Sequence, residues 1–139
     1  MGASIEGKRS GRRYRLIRAD TGAVLADRLR EASGMGERAL GLMFRRALPA
    51  GQGLWLKPCN GVHTWFVRFP LDVIVLDEAR RVVRAAPGLK PWRILPPIPG
   101  GHSTVELPGG SLTADLPRGT RMIFETLDDD DAREASGRR

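Results

Sequence analysis

Within "KPCNGVHTWF", residues 57–66, the chain's single cysteine, Cys59, stands four positions before His63, one of its two histidines. Two chemistries use such a pair. Zinc takes thiolate and imidazole ligands, but it needs four of them in a closed site or three plus water in an open one. Beyond Cys59 and His63 the sequence offers only His102 and scattered carboxylates, so no metal and no cofactor is expected. A Cys–His nucleophilic pair needs instead a thiol of depressed pKa in a partly exposed, electropositive pocket. Lys57 and Arg68 could supply that charge, while Pro58 and Gly61 read Cys59 as a turn residue whose packing suffices to explain it.

Asp72 is the third group of chemical interest. It leads "LDVIVL", a run whose alternating faces are otherwise apolar, and a lone carboxylate there is costly to bury. The expectation is a paired Asp72, with Arg68, Arg93, His63 or backbone N–H groups as partners. Around it, Trp65, Phe66, Arg68 and Trp92 could line an aromatic and basic crevice suited to a peptide, a nucleotide or a sugar phosphate. The alternative for the tryptophans is a hydrophobic core with their polar edges reaching solvent. Asp20-Thr21-Gly22 matches the tripeptide of aspartic proteases, yet no second copy supplies the partner carboxylate that chemistry requires, and the three residues suit a hairpin turn.

The elements that must position these groups follow from periodicity. Tyr14, Leu16 and Ile17, then the turn at 20–22, then Val24 and Leu25, give a hairpin. In "GERALGLMFRRALP" the residues Leu40, Met43, Phe44 and Ala47 fall at helical spacing, which predicts a three-turn helix that Pro49 ends. "GLWL" is a short strand, and Leu71 to Leu76 is a central strand covered on both sides. A turn at 77–80 leads into a return strand through Val82 and Val83. Five prolines between Pro87 and Gly101 exclude regular sheet there, and Trp92, Ile94, Leu95 and Ile98 predict a loop packed against the body. The last segment, "STVELPGGSLTADLPRGTRMIFE", reads as strand, Gly-Gly turn, helical turn at 112–116, a turn at Arg118 and Gly119, and a final strand. The predicted fold is mainly β (α+β), a compact antiparallel β-barrel-like domain with one packed helix and a short helical turn.

Charge and composition delimit the domain. Hydrophobic residues make up 41% and charged residues 28%, near the average for soluble domains. The net charge of +7 is uneven: residues 1–18 set six cations against Glu6, and residues 127–139 set five acids against three arginines. The organisation expected is a flexible basic tail at 1–13, one domain at 14–126 and a flexible charged tail at 127–139. Lys8, Arg9, Arg12 and Arg13 are the groups that could carry weak nucleic-acid binding. No run approaches the roughly 18 apolar residues of a membrane span, and "MGASIEGKRSGRR" lacks the apolar centre of a secretory signal. A cytoplasmic protein with no membrane partner is expected.

In order along the chain, "ERALGLMFRRAL", "GLWL", "PCNGVHTWFVRFPLDVIVLD", "LKPW" and "STVELPGG" resemble the landmarks of the DUF192 (UPF0127) family of small bacterial and archaeal domains, over roughly residues 24–125. The resemblance is to the branch with Cys, Val-His-Thr and Phe-Pro-Leu/Ile-Asp where other members carry a Trp-Met-Lys-Asn type stretch. It implies a compact β-rich fold and assigns no activity. Many members also carry an export or lipoprotein signal, for which this sequence shows no apolar segment. The expected function is a binding or accessory module using residues 59–72 and the 87–101 loop, with Trp65, Arg68 and Trp92 as ligand contacts. The alternatives are a small enzyme built on His63, Cys59 and Asp72, and a nucleic-acid-associated protein acting through its basic arm.

Overall fold

The computed structural model describes residues 12–33 and 47–127. The described chain forms nine strands: β1 (Arg13–Arg18), β2 (Val24–Ala32), β3 (Gln52–Leu56), β4 (Val62–His63), β5 (Leu71–Leu76), β6 (Val82–Leu89), β7 (Ile94–Leu95), β8 (Ser103–Pro108) and β9 (Met122–Thr126). Seven of them make one sheet in the order β6-β5-β8-β3-β2-β1-β9, and β4 pairs with β7 in a small second sheet. All neighbours are antiparallel except β2 and β3, which run parallel, so the antiparallel expectation fails at that one pair. The chain between those two strands carries the sequence predicted to be helical, and a parallel pair needs a long connection of that kind. Residues 36–46 of the predicted helix lie outside the described residues, and 47–49 are irregular chain.

The large sheet curls into a half-barrel whose edges meet at one point. Arg81, just before β6, bridges Arg121, just before β9. Three backbone bonds stitch the seam there: Val82 N–H to Thr120 C=O at 2.8 Å, Gly119 N–H to Val82 C=O at 2.7 Å, and Met122 N–H to Arg80 C=O at 2.9 Å. Residues 112–116 lie along β6, bounding with Ala85 and Pro87 an open cavity of about 380 Å³. This stretch was expected to be a helical turn; it is irregular chain, with Leu116 buried in the core. Leu116 reaches inward without helical pitch because Pro117 and the turn at Gly119 (φ 92°) fix the chain just beyond it. Among the described residues there is no helix, and none long and apolar enough to cross a membrane.

Alternation along the strands makes two cores. Inward residues Tyr14, Leu16, Leu29, Trp55, Ile74, Val105 and Phe124 fill the half-barrel. There Trp55 stacks on Phe124 with ring centres 3.8 Å apart, and Tyr14 meets Trp55 edge-on at 5.3 Å. The Trp55 indole donates to Ser103 Oγ at 3.0 Å, so its polar edge is satisfied in the interior. The opposite face of the sheet, Leu54, Leu56, Leu71, Val73 and Val75, packs against Val67 and Leu95 with Val62, Phe69 and Ile98. β5 is thus covered on both sides along its whole length, as its pattern, apolar on both faces but for Asp72, predicts.

The proline-rich segment departs from expectation. β6 continues through Pro87 to Leu89, and β7 lies inside the stretch read as loop. β6 is an edge strand of the sheet: beyond Val82 at the seam its strand neighbour is β5 alone, and its register shifts where Leu71 faces Leu89 but Val73 faces Ala86. Pro87 sits in that bulge, where no ladder bond is asked of it.

Candidate functional site

The bulge explains Asp72. The extra residue on β6 releases the Gly88 N–H from the ladder (φ 64° at Gly88), and it donates to Asp72 Oδ1 at 2.8 Å. The other oxygen accepts the Leu112 N–H at 2.7 Å. Asp72 is 1% exposed, and its described partners are these two amides, not Arg68, Arg93 or His63. A charge-assisted bond at each oxygen meets the cost of burial and ties β5 to the irregular 112–116 segment. By strand alternation Asp72 shares the inward face of Ile74 and Leu76.

Cys59 lies on the other side of the sheet. It packs against the outer core, donates its S–H to Gly61 C=O at 3.3 Å, and its N–H reaches His102 C=O at 2.9 Å. His63 is exposed on β4, where its Nδ1 accepts the Trp65 N–H at 3.3 Å. Cys59 and Asp72 therefore face opposite sides of one sheet, and His63 points to solvent. Among the described residues no three His, Cys, Asp or Glu side chains gather at a spacing that could hold a metal ion. The Asp20 of the Asp-Thr-Gly triplet occupies the β1–β2 turn, where Arg18 donates to its two oxygens at 3.0 and 2.8 Å. That bond holds the exposed carboxyl below its usual pKa.

The aromatic residues do come together. β4 and β7 pair Val62 with Leu95 and His63 with Ile94; the first pair faces the outer core, the second faces outward. Just beyond them, Phe66 and Trp92 meet with ring centres 4.8 Å apart at 62°, and His63 lies 4.9 Å from Trp65 at 34°. Trp65, Phe66, Trp92 and Ile94 are 43%, 45%, 58% and 59% exposed. Phe66 and Trp92 both have positive φ, 65° and 63°, a conformation that costs a bulky L-residue roughly 1–2 kcal/mol. Arg68, Lys90 and Arg93 are exposed in the same segments.

Thr64 holds this arrangement. Fully buried, it donates its hydroxyl to Lys90 C=O at 2.6 Å and accepts the Arg93 N–H at 2.8 Å. Its backbone N–H bonds Arg93 C=O at 2.8 Å, and its C=O takes the Trp92 N–H at 3.0 Å and the Val67 N–H at 3.2 Å. One residue thus fastens the 64–67 turn to the 90–93 turn. Asn60 does the same one loop away, donating to Ile98 C=O at 2.7 Å and accepting the Ile98 N–H at 2.9 Å. Both residues escaped the sequence reading, since a Thr and an Asn in a turn-rich stretch satisfy local backbone by default. Glu106 escaped it too. On β8 it faces Leu54 and Val73, its Oε1 has no hydrogen-bond partner, and burial pushes its pKa up to about 7. Its signal was a charged residue in the apolar run "STVELP".

Comparison with known proteins agrees with this architecture. A crystal structure of a protein of unknown function from Novosphingobium aromaticivorans superposes with a TM-score of 0.68 at 24% identity, covering 80% of this chain and 83% of that one. A Sinorhizobium meliloti structure described as a candidate transcription regulator gives 0.67 at 20% identity, covering 81% and 92%. At these identities the likeness is one of fold. No curated protein matches the chain. The family model DUF192, described as "Uncharacterized ACR, COG1430", matches residues 17–124. The match takes in every strand from the end of β1 to the middle of β9, together with the whole aromatic face, and the chain belongs to the DUF192 family.

Proposed function

We propose that this domain is a binding module whose ligand contacts are Trp65, Trp92 and Arg68, with Phe66, Ile94 and Arg93 beside them. The observation that carries this reading is the backbone at Phe66 and Trp92. Two neighbouring aromatic residues are held at positive φ with about half of each exposed. Burial gives little return for that strain, and a Gly at either position would avoid it. Strain of this kind at a surface is accounted for by what the rings present to solvent. The face is also rigid before any ligand arrives, since Thr64 ties its two turns together, and preorganisation lowers the entropy lost on binding.

Isotope-labelled protein titrated with small aromatic and anionic compounds tests this reading. Amide shifts concentrated in residues 63–68 and 90–94 are expected. Shifts clustered elsewhere, or none with any compound, would remove it.

A further inference from the structure

The chemistry of the aromatic face narrows its ligand, on the reading of that face as the binding surface. Four of its five outward groups carry rings: His63, Trp65, Phe66 and Trp92, with Ile94 as the fifth. The rings stand in two touching pairs, so neither pair can fold flat onto the body without losing its neighbour. The charge around them has one sign. Residues 57–71 and 79–105 contain no Asp or Glu at all, while Arg68, Lys90 and Arg93 are exposed in the same segments as the rings. The Arg93 guanidinium donates to Pro91 C=O at 3.3 Å, which keeps a cation beside Trp92.

Exposed rings and cations carried by two segments without a carboxylate of their own complement a ligand that is flat where it is apolar and anionic where it is not. Unpaired nucleotides have that character: every base offers a π-face and every linkage a phosphate. A duplex hides its base faces and would use only the cations. A lipid surface would take the cations and interfacial aromatic rings too, but it favours a continuous apolar face, and here both segments, 65–68 and 90–94, carry cations beside the rings. We propose that the face binds a short stretch of single-stranded nucleic acid, with bases stacked on Trp65 and Trp92 and phosphates on Arg68 and Arg93.

The test uses the full chain and a dye-labelled twelve-nucleotide oligothymidylate, followed by anisotropy at about 50 and about 200 mM salt. The competing probes are a duplex of the same length and vesicles of phosphatidylserine in phosphatidylcholine. Trp65→Ala and Trp92→Ala should each weaken oligonucleotide binding about tenfold while leaving its salt slope unchanged, because stacking involves no counterion. Arg68→Ala and Arg93→Ala should each lower the slope by about one. Without any variant, the oligonucleotide should quench tryptophan emission, whereas the duplex should not. Oligonucleotide affinity equal to wild type in both tryptophan variants, with no quenching, would overturn the proposal and trace any affinity to the charged ends. If those variants lose vesicle binding instead, the nucleic-acid assignment falls while the aromatic face stands as the binding surface. Neither probe responding, with no amide shifts from small compounds, overturns both.

Discussion

Two buried carboxylates on adjacent strands show opposite solutions to one problem. Asp72 has an amide at each oxygen, and Asp72→Ala leaves both N–H groups unsatisfied in the interior. The expected loss is about 3 kcal/mol in urea unfolding, and a loss under about 1 kcal/mol would show that solvent or relaxed backbone replaces the carboxylate. Glu106 has burial without compensation, with a folded pKa near 7 against an ordinary 4.5. Between those values the folded state keeps a proton that the unfolded state releases. Stability from this group is therefore complete below about pH 4.5, falls as pH rises towards 7, and stays low above it. A folded pKa near 7 against 4.5 corresponds to about 3 kcal/mol. Glu106→Gln should be more stable than wild type at pH 8, and the gap should close towards pH 4.5. Parallel stability profiles for the two proteins would contradict the placement of that carboxylate.

At the scale of elements, a small sheet and two turns are carried as a unit on the back of the half-barrel. Val62, Leu95 and Val67 anchor them into the outer core, and the Thr64 hydroxyl locks the turns to each other. Thr64→Val keeps the shape and removes the hydroxyl, leaving Lys90 C=O and Arg93 N–H without that partner. The expected cost is about 1–3 kcal/mol. The effect should be local: faster amide exchange at residues 64–67 and 90–93, with the β5 and β8 amides protected as in wild type. Uniform loss of protection would mean that these turns fold together with the barrel and not upon it.

At the scale of the molecule, the sheet's closure depends on β1. That strand joins β2 to β9; β9 in turn supplies Phe124 to the inner core, and Arg121 just before it bridges the seam. Tyr14 carries the bond further, donating to Glu31 at 2.8 Å, and Arg15 pairs with Glu125 across β1 and β9. Of the N-terminal basic stretch, Arg12 and Arg13 belong to the folded sheet, since Arg12 C=O accepts the Glu31 N–H and Arg13 pairs with Arg30; Lys8 and Arg9 lie outside the described residues. A chain starting at Ala19 should lose cooperative unfolding, and one starting at Arg12 should keep it, as read by thermal circular dichroism. Cooperative melting of the shorter chain would show that the remaining strands close without β1.

Local pattern alone determined the β-rich class, the hairpin at 14–25, the doubly covered β5 and the family resemblance, because alternation and turn residues act within a few positions. It also marked Asp72 as a carboxylate needing partners, and Trp65, Phe66 and Trp92 as a group. Long-range placement decided the rest. Which partner Asp72 takes depends on a bulge in β6 sixteen residues away, and a register shift leaves no mark in composition. The face that each side chain occupies separates Cys59 from Asp72: Cys59 packs on the outer core, while alternation along β5 turns Asp72 inward with Ile74 and Leu76. Pro87 fits a strand only because that strand is an edge, which is a property of the sheet and not of the residue. The aromatic face exists because Thr64 joins two turns about thirty residues apart, a contact that only the tertiary fold can make.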